Sequence, residues 1–210
     1  MGTRERRDRE KAELRTKILD AARELFVERG YEAVTMREIA TRIEYSPTAI
    51  YLHFEDKLAV VRALCDRDFA ALGVQFRKIA AISDPLSRLR RAGLAYARFG
   101  LRHPQQYRYM FLTQHPPISP AETTIEHDNP REDAYAFLRW TVAEAIATGS
   151  LRPELTDPEL VSQLVWAGVH GIVSLRITNN SEKWVSWRSE TQTVEGMIDT
   201  LLRGLARSPN

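Results

Sequence analysis

Residues 35–57, TMREIATRIEYSPTAIYLHFEDK, decide the fold. Met36, Ile39, Ala40 and Ile43 recur at i, i+3, i+4 and i+7, which gives a single amphipathic helix one apolar face. Thr35 stands three residues before Glu38, the spacing of a capping box. In that arrangement the threonine hydroxyl accepts from the Glu38 N–H, and the carboxylate reaches back to the Thr35 N–H. Ser46 followed by Pro47 announces a second helix, because serine caps well and proline lacks only an N–H that the first turn leaves unpaired. Only Glu44 and Tyr45 remain to join the two helices, so the second must cross the first steeply, as in a helix-turn-helix.

The second helix turns Ala49, Ile50 and Phe54 inward and leaves Pro47, Thr48, Tyr51 and His53 free to project outward. Short polar, aromatic and imidazole groups near a helix N-terminus, where unpaired N–H groups favour phosphate, suit a DNA groove.

The rest of the chain bounds this reading. A length of 210 residues allows one large domain or two small ones, and 43% apolar with 28% charged residues is ordinary for a packed globular protein. The net charge is +2, and the first 60 residues hold 12 Lys/Arg against 12 Asp/Glu, so attraction to phosphate must come from placement. One cysteine, Cys65, excludes an internal disulfide framework and fits a reducing cytosol. With no signal peptide and no run of 18 apolar residues, the expectation is a soluble cytoplasmic protein with no membrane partner.

Upstream, residues 3–17 are densely charged and permit two readings: a solvated, partly disordered arm running into a helix, or an arm that touches phosphates or the minor groove. A first helix over about 10–29 carries Leu14, Ile18, Leu19, Ala22, Leu25 and Phe26 at helical spacing and ends at Gly30. It completes a three-helix core with the helix-turn-helix.

Those residues, in order, resemble the N-terminal domain of the tetracycline-repressor (TetR) family of bacterial transcription regulators: Gly30-Tyr31, Thr35-x-Arg37-Glu38-Ile39-Ala40, Ser46, Ile50-Tyr51-x-His53-Phe54 and Lys57. The resemblance implies phosphate contacts at Thr35 and Lys57 and a recognition helix across 46–53, with Tyr51 and His53 on the DNA backbone. The DNA-binding set is therefore Thr35, Arg37, Ser46, Pro47, Thr48, Tyr51, His53 and Lys57. Two departures stand out. Glu44 replaces the glycine usual in the family's turn, so either the turn geometry differs or strain is accepted. Pro47-Thr48-Ala49 replaces a common lysine, glycine and threonine, so fewer donors reach the DNA.

Beyond the head, the pattern predicts a long helix over 56–81, a helix opened by Asp84-Pro85 and broken at His103-Pro104, and a shorter one over 105–112. A proline-rich loop over 113–130 follows, in which His115, His127 and Asp128 lack the regular spacing of metal ligands. Helices over 132–148, from Asp157-Pro158 to about 177, and over 189–206 complete the chain. The helix from Asp157 is apolar nearly all round and must be buried on more than one side. Its Ala167, Gly168 and Gly171 would let another helix approach closely. Together with the last helix, striped with Val194, Met197, Ile198, Leu201, Leu202 and Leu205, it makes half of a four-helix bundle. A second copy would complete that bundle.

Trp166-x-x-x-His170-Gly171, with Pro104-x-x-Tyr107-x-x-Met110-Phe111 upstream, resembles the TetR C-terminal class named after its Trp, His and Gly. His170 has two readings, an interior hydrogen-bonded histidine or a ligand contact. Candidate ligand-lining residues are Phe76, Tyr96, Phe99, Tyr107, Met110, Phe111, Phe137, Trp140, Trp166 and His170, although aromatic residues at helical spacing are more often core.

The expected architecture is all-α with about nine helices. An N-terminal arm and three-helix helix-turn-helix DNA-binding domain would occupy 1–56, and a helical ligand-binding and dimerisation domain 57–210. The function that follows is a homodimeric DNA-binding transcriptional regulator. It would most simply be a repressor released from a near-palindromic operator by a small apolar or amphipathic effector, with no cofactor and no metal. The alternative is an all-helical protein-interaction adaptor without DNA binding. An enzyme has no support, since there is no glycine-rich phosphate loop, no metal cluster and no nucleophile beside a base.

Overall fold

The computed structural model describes residues 3–181 and 183–207; residues 1, 2, 182 and 208–210, which the expected domain ranges include, lie outside the described residues. Nine α-helices are present among them: α1 Thr3–Arg29, α2 Met36–Arg42, α3 Pro47–Tyr51, α4 Lys57–Ile79, α5 Pro85–Arg102, α6 Pro104–Tyr107, α7 Ala134–Ala147, α8 Pro158–Asn179 and α9 Glu190–Leu205. The only β pairing among the described residues is an isolated bridge between Leu151 and Ala206.

Caps read from the sequence start the helices. Thr35 accepts from the Glu38 N–H and Glu38 Oε2 accepts from the Thr35 N–H, the reciprocal capping box. Asp84 and Asp157, each followed by proline, accept from backbone N–H groups in the first turns of α5 and α8. α7 starts at Ala134 with Asp133 as cap, because that carboxylate accepts from both the Tyr135 and the Ala136 N–H.

Two differences from the expected elements have physical causes. α1 begins at Thr3 and not near residue 10, so the charged segment is not a partly disordered arm but seven further residues of helix. Arg6–Glu10 and Arg9–Glu13 ion pairs at i, i+4 support it. The expected helix over 105–112 splits into α6 and a π-helical turn over Arg108–Leu112, which buries Tyr109 and Met110 together.

The chain forms two compact units, one of residues 1–68 with 105–124 and one of residues 69–104 with 125–210. In the first, Ile18, Ala22, Leu25 and Phe26 of α1 pack with Ile39 and Ala40 of α2, Ile50 of α3 and Leu64 of α4 in a fully enclosed core. Segment 105–124 joins that unit through Tyr109, which stacks on Phe26 with centroids 5.9 Å apart, and through Gln106, whose amide donates to Asp68. A division from contacts therefore runs differently from the boundary at 56/57.

The second unit packs α5, α7, α8 and α9 against one another. Its core joins Leu89, Val142, Ala145, Leu151, Val161, Val165 and Leu205. α8 is long and apolar enough, by length and composition, to cross a membrane, and it packs on α5, α7 and α9 through one face, Val161, Val165, Val169 and Val173, so the burial on more than one side expected from the sequence is not met within the single chain. Gly168 is what lets α9 come close, since a Cβ there would lie 2.8 Å from Leu201 Cδ1. Gly171 faces open space instead.

Candidate nucleic-acid interface and effector region

The turn between α2 and α3 is a helix-closing motif. Tyr45 N–H donates to the Ala40 carbonyl at 3.0 Å and Glu44 N–H to the Thr41 carbonyl at 3.1 Å, the paired 6→1 and 5→2 bonds of a Schellman cap. That closure needs a left-handed residue, and Glu44 supplies it with φ 60°. Of the two alternatives open in the sequence, accepted strain is the one observed. At the end of α7 the same closure uses Gly149, with φ 67°.

α3 stands on Ser46, whose hydroxyl accepts from the Ala49 N–H at 3.2 Å. Ile50 and Phe54 are buried as expected, while Pro47, Thr48 and Tyr51 are exposed. Leu52, which follows α3, is 77% exposed, more than Tyr51 at 53%. His53 is half-buried, and burial, with Lys11 and Arg15 adding to it, holds its imidazole below the usual range and so neutral near pH 7. Arg37 is exposed on α2.

Thr35 and Lys57 carry structural duties alongside any contact with DNA. The Thr35 hydroxyl donates to Glu38 Oε2 at 2.9 Å, and Glu38 also takes an ion pair from Arg29 at 2.7 Å. Those two partners hold the Glu38 carboxyl down at about 2. Lys57 donates to the carbonyls of Tyr31 and Val34 at 2.8 and 2.9 Å. Of its three N–H groups, two are used inside the head.

Two residues of the charged segment 3–17, outside the expected DNA-binding set, lie near α3. Arg15 lies 4.3 Å over the Phe54 ring, and Lys11 reaches the same side of the head electrostatically. The available signal was the spacing of the α1 cations.

The residues proposed to line an effector site fall into separate groups. In the second unit, Tyr96, Trp166 and His170 form one cluster: the Tyr96 hydroxyl lies 2.9 Å from His170 Nδ1 and accepts from the Trp166 indole N–H at 3.1 Å. Burial lowers the His170 pKa and so favours the neutral imidazole near neutral pH; in the tautomer protonated on Nε2, Nδ1 accepts the Tyr96 proton. Tyr135, absent from the expected set, packs against Trp166 with tilted rings, centroids 5.9 Å apart, and donates to Glu159. Phe76, Phe137 and Trp140 form a second aromatic run, with Phe76 stacked on Phe137 at 5.1 Å and Arg88 over Trp140. Phe99 is buried beside the His103 ring. Tyr107, Met110 and Phe111 belong to the first unit, where Tyr107 is completely enclosed.

Cys65 is buried, and that burial, with Asp68 and Asp66 nearby, raises its thiol to about 12. It stays protonated and unreactive. Among the described residues no group of three or more His, Cys, Asp or Glu side chains could hold a metal ion.

A capped helix-turn-helix with an exposed second helix, followed by an all-helical body, defines the class of one- or two-unit helical DNA-binding regulators. Residues 18–64 match the family described as bacterial regulatory proteins, tetR family, and residues 89–201 match the tetracyclin repressor-like C-terminal domain. The second match alone covers more than half of the chain, and the protein belongs to the TetR family of regulators.

A relative named HTH-type transcriptional activator FasR, from Mycolicibacterium smegmatis, is 39% identical over 101 residues, 47% of this chain and 46% of that protein. The HTH-type transcriptional repressor BepR of Brucella suis is 45% identical over 58 residues, 28% of each chain. The chain thus spans less than half the length of these curated relatives. The fold is shared with the TetR family transcriptional regulator PfmR of Thermus thermophilus at a TM-score of 0.69 and 24% identity, covering 90% of this chain and 99% of that one.

Proposed function

We propose that the protein is a cytoplasmic, homodimeric transcriptional regulator, most simply a repressor, whose α3 reads the major groove of a near-palindromic operator. The observation that carries this reading is the exposed face of α3, Pro47, Thr48 and Tyr51, held on the closed turn after α2. Thr35, Arg37, Ser46, His53 and the remaining N–H of Lys57 supply backbone contacts around it. A dimer would place two such helices about 34 Å apart on successive grooves.

The second copy is supported by α8. Leu160, Leu164 and Leu175 are 51%, 48% and 49% exposed on the side of α8 away from the buried Val161, Val165, Val169 and Val173, and Ala167 and Gly171 continue the same stripe. Leucines half open to water in such a row are what a two-fold partner helix covers. Met197 and Leu201 of α9 complete the bundle.

An apolar or amphipathic effector would bind the body among Tyr96, Trp166 and His170 or along Phe76, Phe137 and Trp140. It would shift the balance between DNA-competent and DNA-incompetent forms. A coupling of about 1 to 3 kcal/mol changes operator affinity by several-fold to a hundredfold. The relatives include one named activator and one named repressor, so a promoter reporter determines the sign.

Gel-shift titration of the purified chain with duplexes from beside its own gene tests the reading. Binding is expected, weakened at least tenfold by Tyr51→Ala with the dimer intact by light scattering. No binding at any salt concentration would sink it in favour of an adaptor.

A further inference from the structure

The seven turns of α1 sort their charges by face. Arg4, Arg7, Lys11 and Arg15 fall at i, i+3, i+7 and i+11, and the same row continues as Ile18, Ala22 and Leu25 at i+14, i+18 and i+21. Ile18, Ala22 and Leu25 are all buried, on the side of α1 that enters the core of the head, where α2 packs on it. The four cations therefore line the extension of the face that α1 turns toward the rest of the head.

The opposite side is neutralised. Arg6 pairs with Glu10 at 2.8 Å and Arg9 with Glu13 at 3.9 Å, and Glu5, Glu10 and Glu13 all lie off the basic row. Arg4, Arg7 and Lys11 are exposed, and no ion pair takes them among the described residues. Asp8 is the one carboxylate bordering the row. At the inner end, Arg15 sits over Phe54, three residues past the last residue of α3, so the row reaches the C-terminal end of the recognition segment. The head is neutral in sum, with 12 basic and 12 acidic residues in its first 60, yet this sorting gives it one concentrated positive edge.

We propose that Arg4, Arg7 and Lys11 grip the phosphate backbone of the operator beside the base pairs read by α3, as a second DNA-binding surface continuous with the first. The occupant is duplex DNA because the row is exposed, one-signed and contiguous with α3. Eleven residues of helix between Arg15 and Arg4 reach about 16 Å, the length of roughly five base pairs. This surface rests on the regulator reading above, and it supplies donors that Pro47-Thr48-Ala49 lacks.

The test measures binding of the full chain to a random-sequence 40-base-pair duplex across a salt series. The first variant is Arg4→Gln/Arg7→Gln/Lys11→Gln. The control, with the same charge change on the other face, is Arg6→Gln/Arg9→Gln/Lys17→Gln. Each lost phosphate contact removes about 0.9 from the slope of log K against log salt, so the first variant is expected to be shallower by roughly 2 to 3 per bound subunit. The control is expected to stay within roughly one contact of the unsubstituted chain. Asp8→Lys, which extends the row, is expected to steepen the slope.

Equal slopes for the two triple variants, or no change in either, would overturn the proposal while leaving the regulator reading intact. So would an unchanged slope in Asp8→Lys. If the unsubstituted chain bound no DNA, both readings would fall together.

Discussion

The ammonium of Lys57 sits 4.0 Å from the centroid of the Tyr31 ring and 2.8 Å from the carbonyl oxygen of the same residue. With its bond to the Val34 carbonyl at 2.9 Å, it ties the start of α4 to the segment joining α1 and α2. Lys57→Met keeps the aliphatic stem but removes the ammonium from both carbonyls, leaving the Tyr31 oxygen with the Val34 N–H at 3.3 Å. Hydrogen bonds to a charged group contribute about 1.5 to 3 kcal/mol, and partial exposure places the expected loss at the lower end. Thermal unfolding followed by circular dichroism checks this. Weaker DNA binding by a Lys57 variant thus mixes a lost contact with a loosened head, which makes Tyr51→Ala the cleaner probe of the interface.

Glu44→Gly is expected to stabilise the head. A non-glycine residue in the left-handed region costs about 1 to 2 kcal/mol, and glycine returns part of that gain as unfolded-chain entropy. A net gain of about 0.5 to 1 kcal/mol remains. A β-branched Glu44→Val, equally unable to relax, should lose stability. If urea midpoints moved together for both variants, the strain at φ 60° would not be the cause.

Much of the head was legible in the sequence because its signals are local. Thr35 with Glu38, Ser46 with Pro47, and Asp84 with Pro85 each name a helix start within four residues, and the apolar rows name the buried faces. What stayed hidden depends on distant partners. Nothing near Lys57 in sequence shows that its ammonium is claimed by carbonyls 26 and 23 residues upstream. The Tyr96 hydroxyl is likewise bound by residues 70 and 74 positions away. The aromatic residues expected around one effector site share a composition, yet they fall in different units, since spacing along single helices carries no information about which helices meet. The helical start at Thr3 was missed for another reason: charge density alone does not separate a solvated helix from an arm, and the ion pairs at i, i+4 decide it.

The buried pair Arg23–Asp68 should be sensitive to loss of either partner. Arg23 Nε and Nη2 reach the two Asp68 oxygens at 3.0 and 2.7 Å, and Asp68 has no exposed surface. Arg23→Met removes the bidentate partner of a buried carboxylate, a loss that typically costs about 3 to 5 kcal/mol when nothing replaces it. Arg67 Nε at 3.6 Å and the Gln106 amide at 3.3 Å remain beside Asp68 as partial substitutes, so the lower part of that range is expected. The double variant Arg23→Met/Asp68→Leu should recover most of the loss. Chemical denaturation of the three proteins reads this directly.

Glu38 predicts an acid-side dependence. Its carboxyl titrates at about 2 in the folded head, below the ordinary value of 4.5, through Arg29 and Thr35. A depressed carboxyl stabilises the fold above its unfolded value and loses that contribution as pH falls through the window from about 4.5 to about 2. The stability difference between the unsubstituted chain and Glu38→Gln should therefore be constant above pH 5 and shrink steadily below it, as thermal melts across that range would show. A difference that did not change with pH would assign the effect of Glu38 to its shape in the capping box and not to its charge.

The face of α8 can be tested without knowing the operator. Leu164 and Leu175 are each about half exposed while their neighbours Val165 and Val173 are buried, so a charge at the former reaches water in a monomer and leaves the core intact. Leu164→Lys/Leu175→Lys is expected to keep the helical spectrum and its thermal midpoint within a few degrees at the dilution where the chain is monomeric. Burying two lysines opposite two more across a two-fold axis would instead repel, since unpaired charges are excluded from packed interfaces. Sedimentation should then report a monomer where the unsubstituted chain reports a dimer, and operator affinity should fall to that of a single head. A variant that still sedimented as a dimer would move the subunit contact away from α8.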